Sequence, residues 1–198
     1  MARIFALGDP HLSRARPKPM DMFGEHWTDH GERIFAACRE TVGPDDLMIF
    51  VGDISWATRL DEALPDLEDI GRLPGTKLLL KGNHDFWWTS RAKVERVVDP
   101  SVRLLQNDSL VFGDVAIAGG RGWTLPGDAF FTPDDEKIYL RELARQLCPK
   151  DVKQPIRGLR IIKHQAVVVA IGRRIVSTRD GDSATFSLGD EPMTDRIT

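Results

Sequence analysis

A chain of 198 residues, 41% hydrophobic and 29% charged, has the composition of one globular domain. Its 27 basic and 30 acidic residues leave a net charge of only −3, so no nucleic acid or other polyanion is indicated as a partner. The longest apolar run, Ala166 to Ile171, falls far short of the roughly 20 residues a membrane span needs, and MARIFALG lacks the apolar length of a signal peptide. Cys38 and Cys148 are far apart and form no metal-type pair, so a cytoplasmic protein without a disulfide framework or a cysteine zinc site is expected.

Residues 3–8 (RIFALG), 46–52 (DLMIFVG) and 76–82 (TKLLLKG) are short apolar runs ending in glycine, each suited to a buried strand. Between them, Glu32 to Val42 and Arg59 to Ile70 carry apolar residues at helical spacing, with Pro65 expected to kink or split the second helix. The order β-α-β-α-β predicts parallel strands joined by right-handed crossovers, with all three carboxyl ends on one edge of the sheet. A helix over Ser90 to Val98 follows, then strands at Val102 to Leu105, Leu110 to Phe112 and Val115 to Ala118, with Gly113-Asp114 as the hairpin turn. Glu136 to Leu147 reads as an amphipathic helix. After Pro149 the character changes: 9 basic residues stand against 6 acidic, where the preceding chain has 18 against 24. A hairpin from AVVVAIGRRIVST and a turn at Gly181-Asp182 are expected there, with no further β-α alternation.

Each apolar run is followed at once by polar ligands: Gly8-Asp9-Pro10-His11, Gly52-Asp53-Ile54-Ser55-Trp56 and Gly82-Asn83-His84-Asp85. A glycine lets the chain turn sharply as it leaves the sheet, aiming the next side chain at a shared point above the strand ends. Such a point can hold two divalent metals about 4 Å apart, which clamp a phosphoryl group and lower the pKa of a bridging water. Asp53 is then the bridge, Asp9 and His11 hold one metal, the Asn83 amide oxygen holds the other, and His84 points at the scissile phosphate. Asp85 reads either as the carboxylate that orients His84 or as a turn acid. Taken singly, each Gly-Asp or Gly-Asn pair reads equally well as a plain turn.

DPH, GDISWA and KGNHD resemble the first three motifs of the calcineurin-like metallophosphoesterase family, in order. PMDMFGEHW, EALPDLEDIGRLPGTKLLLKGNHDFWW, LQND and GGRGW resemble a bacterial-type subgroup of predicted phosphohydrolases, and the likeness extends to about Leu147. The resemblance implies a four-layer α/β sandwich, with residues 1–148 as the N-terminal part of the family domain. Residues 149–198 are then an atypical C-terminal segment packed on, or replacing, the second half. It also implies metal-dependent phosphoester hydrolysis, with Asp9, His11, Asp53 and Asn83 as ligands of two ions (manganese, iron or zinc) and His84 at the phosphate.

The same resemblance implies a later histidine and a Gly-His-x-His turn, yet only His164 follows His84, and no Gly-His pair occurs. His164 in IIKHQAVVV is one candidate for the first late ligand, and a changed reading frame near residue 148, completion by another chain, or lost chemistry are the accounts of the rest. Trp87, Trp88 and Trp123 are candidates for a substrate wall and Arg121 for a phosphate clamp, with core packing and an ion pair as the alternatives. His26 and His30 read as surface or packing residues. The expected function is hydrolysis of a phosphomonoester or phosphodiester by a metal-bound hydroxide, with His84 stabilising the phosphoryl oxygens or protonating the leaving group. A non-catalytic binding or scaffold protein of the same fold is the rival. A tail that failed to cover the sheet would leave an unpartnered edge and favour self-association.

Overall fold

The apolar runs become neighbouring parallel strands. A computed structural model describes residues 2–113, 115–124, 126–129, 131–147, 159–163, 166–171, 176–180 and 183–187. In it β1 (Ile4–Leu7), β2 (Leu47–Val51), β3 (Thr76–Leu80) and β4 (Val102–Leu105) lie side by side in parallel. The register pairs Ile4 with Leu47 and Leu47 with Thr76, which brings the three ligand-bearing strand ends level on one edge.

Helices α1 (His30–Thr41) and α2 (Leu60–Gly71) make the crossovers. Phe35 and Cys38 of α1, and Ala63, Leu67 and Ile70 of α2, are buried at spacings of three and four residues, so each helix turns one stripe to the sheet. The α2 start is fixed by Glu62, whose carboxylate accepts the backbone N–H of Thr58 at 3.0 Å and of Arg59 at 3.2 Å. Of the kink or split expected at Pro65, the split is corrected: α2 is one helix from Leu60 to Gly71 with Pro65 inside it. Proline removes one intrahelical bond there, and the stripe of Ala63, Leu67 and Ile70 on either side keeps the helix seated. Helix α3 (Arg91–Glu95) is shorter than predicted, with Val94 its buried residue.

Strands β5 (Asp108–Phe112) and β6 (Val115–Arg121) form an antiparallel hairpin that turns at Gly113, φ +59°. Asp114 of the predicted turn lies outside the described residues. Helix α4 (Pro133–Leu147) starts earlier than predicted, with Asp134, Asp135 and Glu136 in its first turn, where negative charge offsets the helix dipole. It packs against β6.

The tail adds strands to each of two sheets. β7 (Leu159–Lys163) and β8 (Ala166–Ile171) complete the order β5-β6-β8-β7, while β9 (Val176–Asp180) and β10 (Ser183–Ser187) complete β4-β3-β2-β1-β10-β9. The expectation of an unpartnered edge is corrected at β1, because Ile4 to Ala6 pair antiparallel with Ala184 to Phe186.

Period-two alternation along the central strands builds two apolar layers. Phe5, Met48, Phe50 and Leu79 face the helices and pack with Phe35, Leu67, Ile70, Trp87 and Trp88. Ile4, Leu47, Ile49, Leu78 and Leu80 face the second sheet and meet Val115 and Ile117. Helices, sheet, sheet and α4 make the four-layer α/β arrangement. Full burial of each large apolar side chain contributes about 2–3 kcal/mol.

Two polar clamps sit among these layers. Lys77 is 1% exposed, and its ammonium donates to the carbonyls of Gly71, Leu73 and Gly75 at 3.1, 2.6 and 3.0 Å, capping the carboxyl end of α2. Asp46 accepts the Arg3 backbone N–H at 2.7 Å, the Arg3 guanidinium at 2.7 and 3.1 Å, and the Gly43 N–H at 2.8 Å. Among the described residues no helix is long and apolar enough to cross a membrane.

Candidate metal centre

Past their strand ends, the loops after β1 and β2 remain joined by backbone hydrogen bonds. Asp9 N–H reaches Gly52 O at 3.2 Å, His11 N–H reaches Asp53 O at 3.0 Å, Leu12 N–H reaches Ile54 O at 2.9 Å, and Trp56 N–H returns to Leu12 O at 2.8 Å. Within this joined segment Asp9, His11 and Asp53 hold φ of 54°, 44° and 50°. Left-handed backbone costs a residue with a Cβ about 1–2 kcal/mol, and here the cost falls on the three residues whose side chains converge.

This corrects the role first given to the glycines, since of Gly8, Gly52 and Gly82 only Gly52 takes a positive φ, 78°. Gly82 serves close approach instead: a Cβ there would stand 2.1 Å from Asp53 Oδ1 and 2.2 Å from Asp53 N.

Ligand atoms of Asp9, His11 and Asp53 lie within 4.8 Å of one another. Asp53 is fully buried, and the other two are half-buried. The His11 ring stacks on Trp56, centroids 4.5 Å apart and planes at 14°. Burial pushes its imidazole down to about 4, with Asp9 pulling upward and His84, His30 and Lys18 adding to the fall. At neutral pH the ring is uncharged, the state in which imidazole binds a metal. His11 Nδ1 is buried with no hydrogen-bond partner among the described residues. Two carboxylates and a neutral imidazole with a buried, unengaged nitrogen fit a divalent cation such as manganese, iron or zinc.

Asp85 fastens the third loop to the second. It accepts Gly82 N–H on Oδ2 at 2.7 Å, and on Oδ1 the N–H of Ile54 at 2.8 Å, of Ser55 at 3.2 Å and of the Trp87 indole at 3.0 Å. Burial pushes this carboxyl up to about 6, the amides of Gly82, Ser55 and Ile54 opposing and Asp53 adding. The reading of Asp85 as the group that orients His84 is corrected, because among the described residues its partners are these four N–H groups and not the His84 ring.

His84 is placed through its backbone, whose N–H donates to Asp53 Oδ1 at 2.8 Å. Its ring lies edge-on to His11 with centroids 6.0 Å apart. Asn83, half-buried, precedes it in the same loop.

Arg121, at the end of β6, lies over the Trp123 ring at 4.4 Å, and Trp123 donates its indole N–H to Asp135 at 2.8 Å. Burial lowers the Arg121 guanidinium from its ordinary value, with Glu142 and Asp53 pulling it upward and Arg141 adding to the fall. Trp88 is corrected as a substrate wall: it is 1% exposed beside Trp87 in the helix-side core. His164 lies outside the described residues. The His30 ring nitrogens lie 3.1 Å from the Trp27 carbonyl and 3.2 Å from the His11 carbonyl, and a neutral imidazole donates to one of the two.

Sequence reasoning missed the aromatic frame. Trp56 stacks on His11 and lies 5.2 Å from the His84 ring, Phe86 meets His84 edge-on at 6.2 Å, and Trp27 is 6.4 Å from His11. Trp56 follows Asp53 by three residues, a spacing that carries no periodicity once the strand has ended. A cavity of about 660 Å³ borders the first loop, lined by Lys18, Trp27 and His30 but not by Asp9, His11 or Asp53.

The chain matches the model of the family described as calcineurin-like phosphoesterase over residues 2–183, so the match continues through the change in composition after Pro149. No curated protein matches. Among solved structures, a protein of unknown function from Aquifex aeolicus is similar at 16% identity and a TM-score of 0.41, covering 71% of this chain and 72% of that one.

Proposed function

Because the chain belongs to the calcineurin-like phosphoesterase family, we propose that it hydrolyses phosphomonoesters or phosphodiesters with two divalent ions held by Asp9, His11, Asp53 and Asn83. The convergence of Asp9, His11 and Asp53 within 4.8 Å carries this reading. When bound, the ions supply Lewis acidity toward the phosphoryl oxygens and make water more acidic. Asp53 is central among the protein ligands: it is buried, it is the acid against which Gly82 packs, and it accepts the His84 N–H. The His84 imidazole, beside His11 and Trp56, donates to a phosphoryl oxygen or to the departing alkoxide. Arg121, at the end of β6 and over the Trp123 ring, supplies a planar cation for a phosphoryl oxygen.

A second reading, a binding or scaffold protein that keeps the fold without turnover, draws on one observation: His164 is the only histidine after His84. The two separate on a chromogenic phosphomonoester and phosphodiester assayed with manganese. Turnover that a chelator abolishes supports hydrolysis, and absence of turnover with every divalent metal supports the rival.

A further inference from the structure

We propose that Lys18 is a specificity-determining residue that receives a second phosphate group of the substrate, a refinement that rests on the phosphoester reading above. Three neighbouring cations leave the first ligand loop: Arg14 pairs with Asp69 and Arg16 with Glu62, whereas Lys18 has no carboxylate partner among the described residues. Its ammonium stands 3.1 Å above the centroid of the Trp56 ring. His11 stacks on that same indole at 4.5 Å, and one face cannot hold both groups, so Lys18 and His11 lie on opposite faces. The cation is therefore one indole away from a residue of the metal cluster.

The lysine is held there rather than trailing in solvent. Pro17 and Pro19 flank it and restrict the backbone on both sides. Met20, the next residue, is buried, and its sulfur accepts the Trp56 indole N–H at 3.2 Å, which ties the segment to the edge of the ring. An exposed lysine ordinarily loses rotamer entropy on becoming ordered, and the cation–π contact with Trp56 offsets part of that loss before any ligand arrives. A pre-ordered ammonium binds a phosphate as a point charge. With the scissile phosphate at the metal cluster, the group in reach of Lys18 is a second phosphate, either linked to the first through oxygen or carried nearby on the same molecule.

The test measures binding, with manganese present, of inorganic phosphate, inorganic pyrophosphate and glucose 1,6-bisphosphate to wild type, Lys18→Ala and Lys18→Arg, with turnover assayed separately. Wild type should prefer pyrophosphate or the bisphosphate to phosphate; Lys18→Ala should weaken the preferred ligand about tenfold, the worth of one charge-assisted hydrogen bond, and leave phosphate unchanged. Lys18→Arg should restore part of the loss. Which two-phosphate ligand responds tells linked from separate phosphates. Equal weakening of all three ligands, no weakening, or no preference in wild type overturns the assignment. If wild type turns over no phosphoester while Lys18→Ala still loses its preference, the hydrolytic reading fails and Lys18 keeps its role.

Discussion

The carboxylate of Asp85 accepts the backbone N–H of Ile54 at 2.8 Å across 31 residues of chain, and through that bond the third ligand loop is held against the second. Three further N–H groups share the same buried carboxylate. Replacing Asp85 with alanine strands these donors, at a cost of about 3 kcal/mol. Asp85→Ala should lower the melting temperature and bound metal together, although Asp85 is no ligand in this account. A variant with a lowered melting temperature and full metal content would separate the clamp from the site.

Gly82→Ala tests close approach. The added Cβ meets Asp53 at 2.1 and 2.2 Å, at a carboxylate oxygen and a backbone nitrogen, so either loop must move. Metal affinity should fall by about tenfold or more, as expected when a ligand's support is displaced. Titration of manganese into metal-free protein reads the change, and unaltered affinity would mean that the loops yield freely.

Lys77→Met separates fold from site. It removes three donors from carbonyls at the end of α2 and should cost about 3 kcal/mol. Chemical denaturation should show the loss while metal content per folded chain stays at the wild-type value.

Acid sensitivity should run through Asp46. Burial alone would raise its carboxyl, but the Arg3 guanidinium and the amides of Gly43 and Arg3 outweigh burial and hold it below its ordinary 3.8. A folded-state pKa below the unfolded one contributes stability that is complete above about pH 4 and is lost as pH falls through the folded value. Asp46→Ala should therefore cost about 2 kcal/mol near pH 7, and the gap to wild type should narrow below pH 4. A gap constant from pH 7 to pH 3 would contradict this linkage.

The sequence showed the frame of the site because two signals coincide in it: apolar runs that end in glycine, and polar ligands immediately after. Asp9, His11 and Asp53 were legible for that reason, and they converge. What the strain falls on was not legible: Asp and His enter left-handed backbone more readily than most residues, but that preference is too weak to single out Asp9, His11 and Asp53 among the chain's aspartates and histidines. Nor was the partner choice of Asp85, because a carboxylate after a histidine reads the same whether it faces the imidazole or neighbouring amides. The tryptophans divided in the fold: Trp88 entered the core while Trp56, unremarked within its motif, became the plate between His11 and Lys18. In the tail, composition marked a break, yet β10 pairs with β1 and β8 with β6, since backbone pairing follows strand register and is indifferent to the charge balance that changed.

The measurement that bears most directly on the central claim is metal content by elemental analysis of purified wild type beside Asp53→Asn. Two divalent ions per wild-type chain and a substantial loss from Asp53→Asn are expected; equal metal in the two proteins, or none in either after manganese is supplied, would overturn the assignment of Asp53 as a shared ligand.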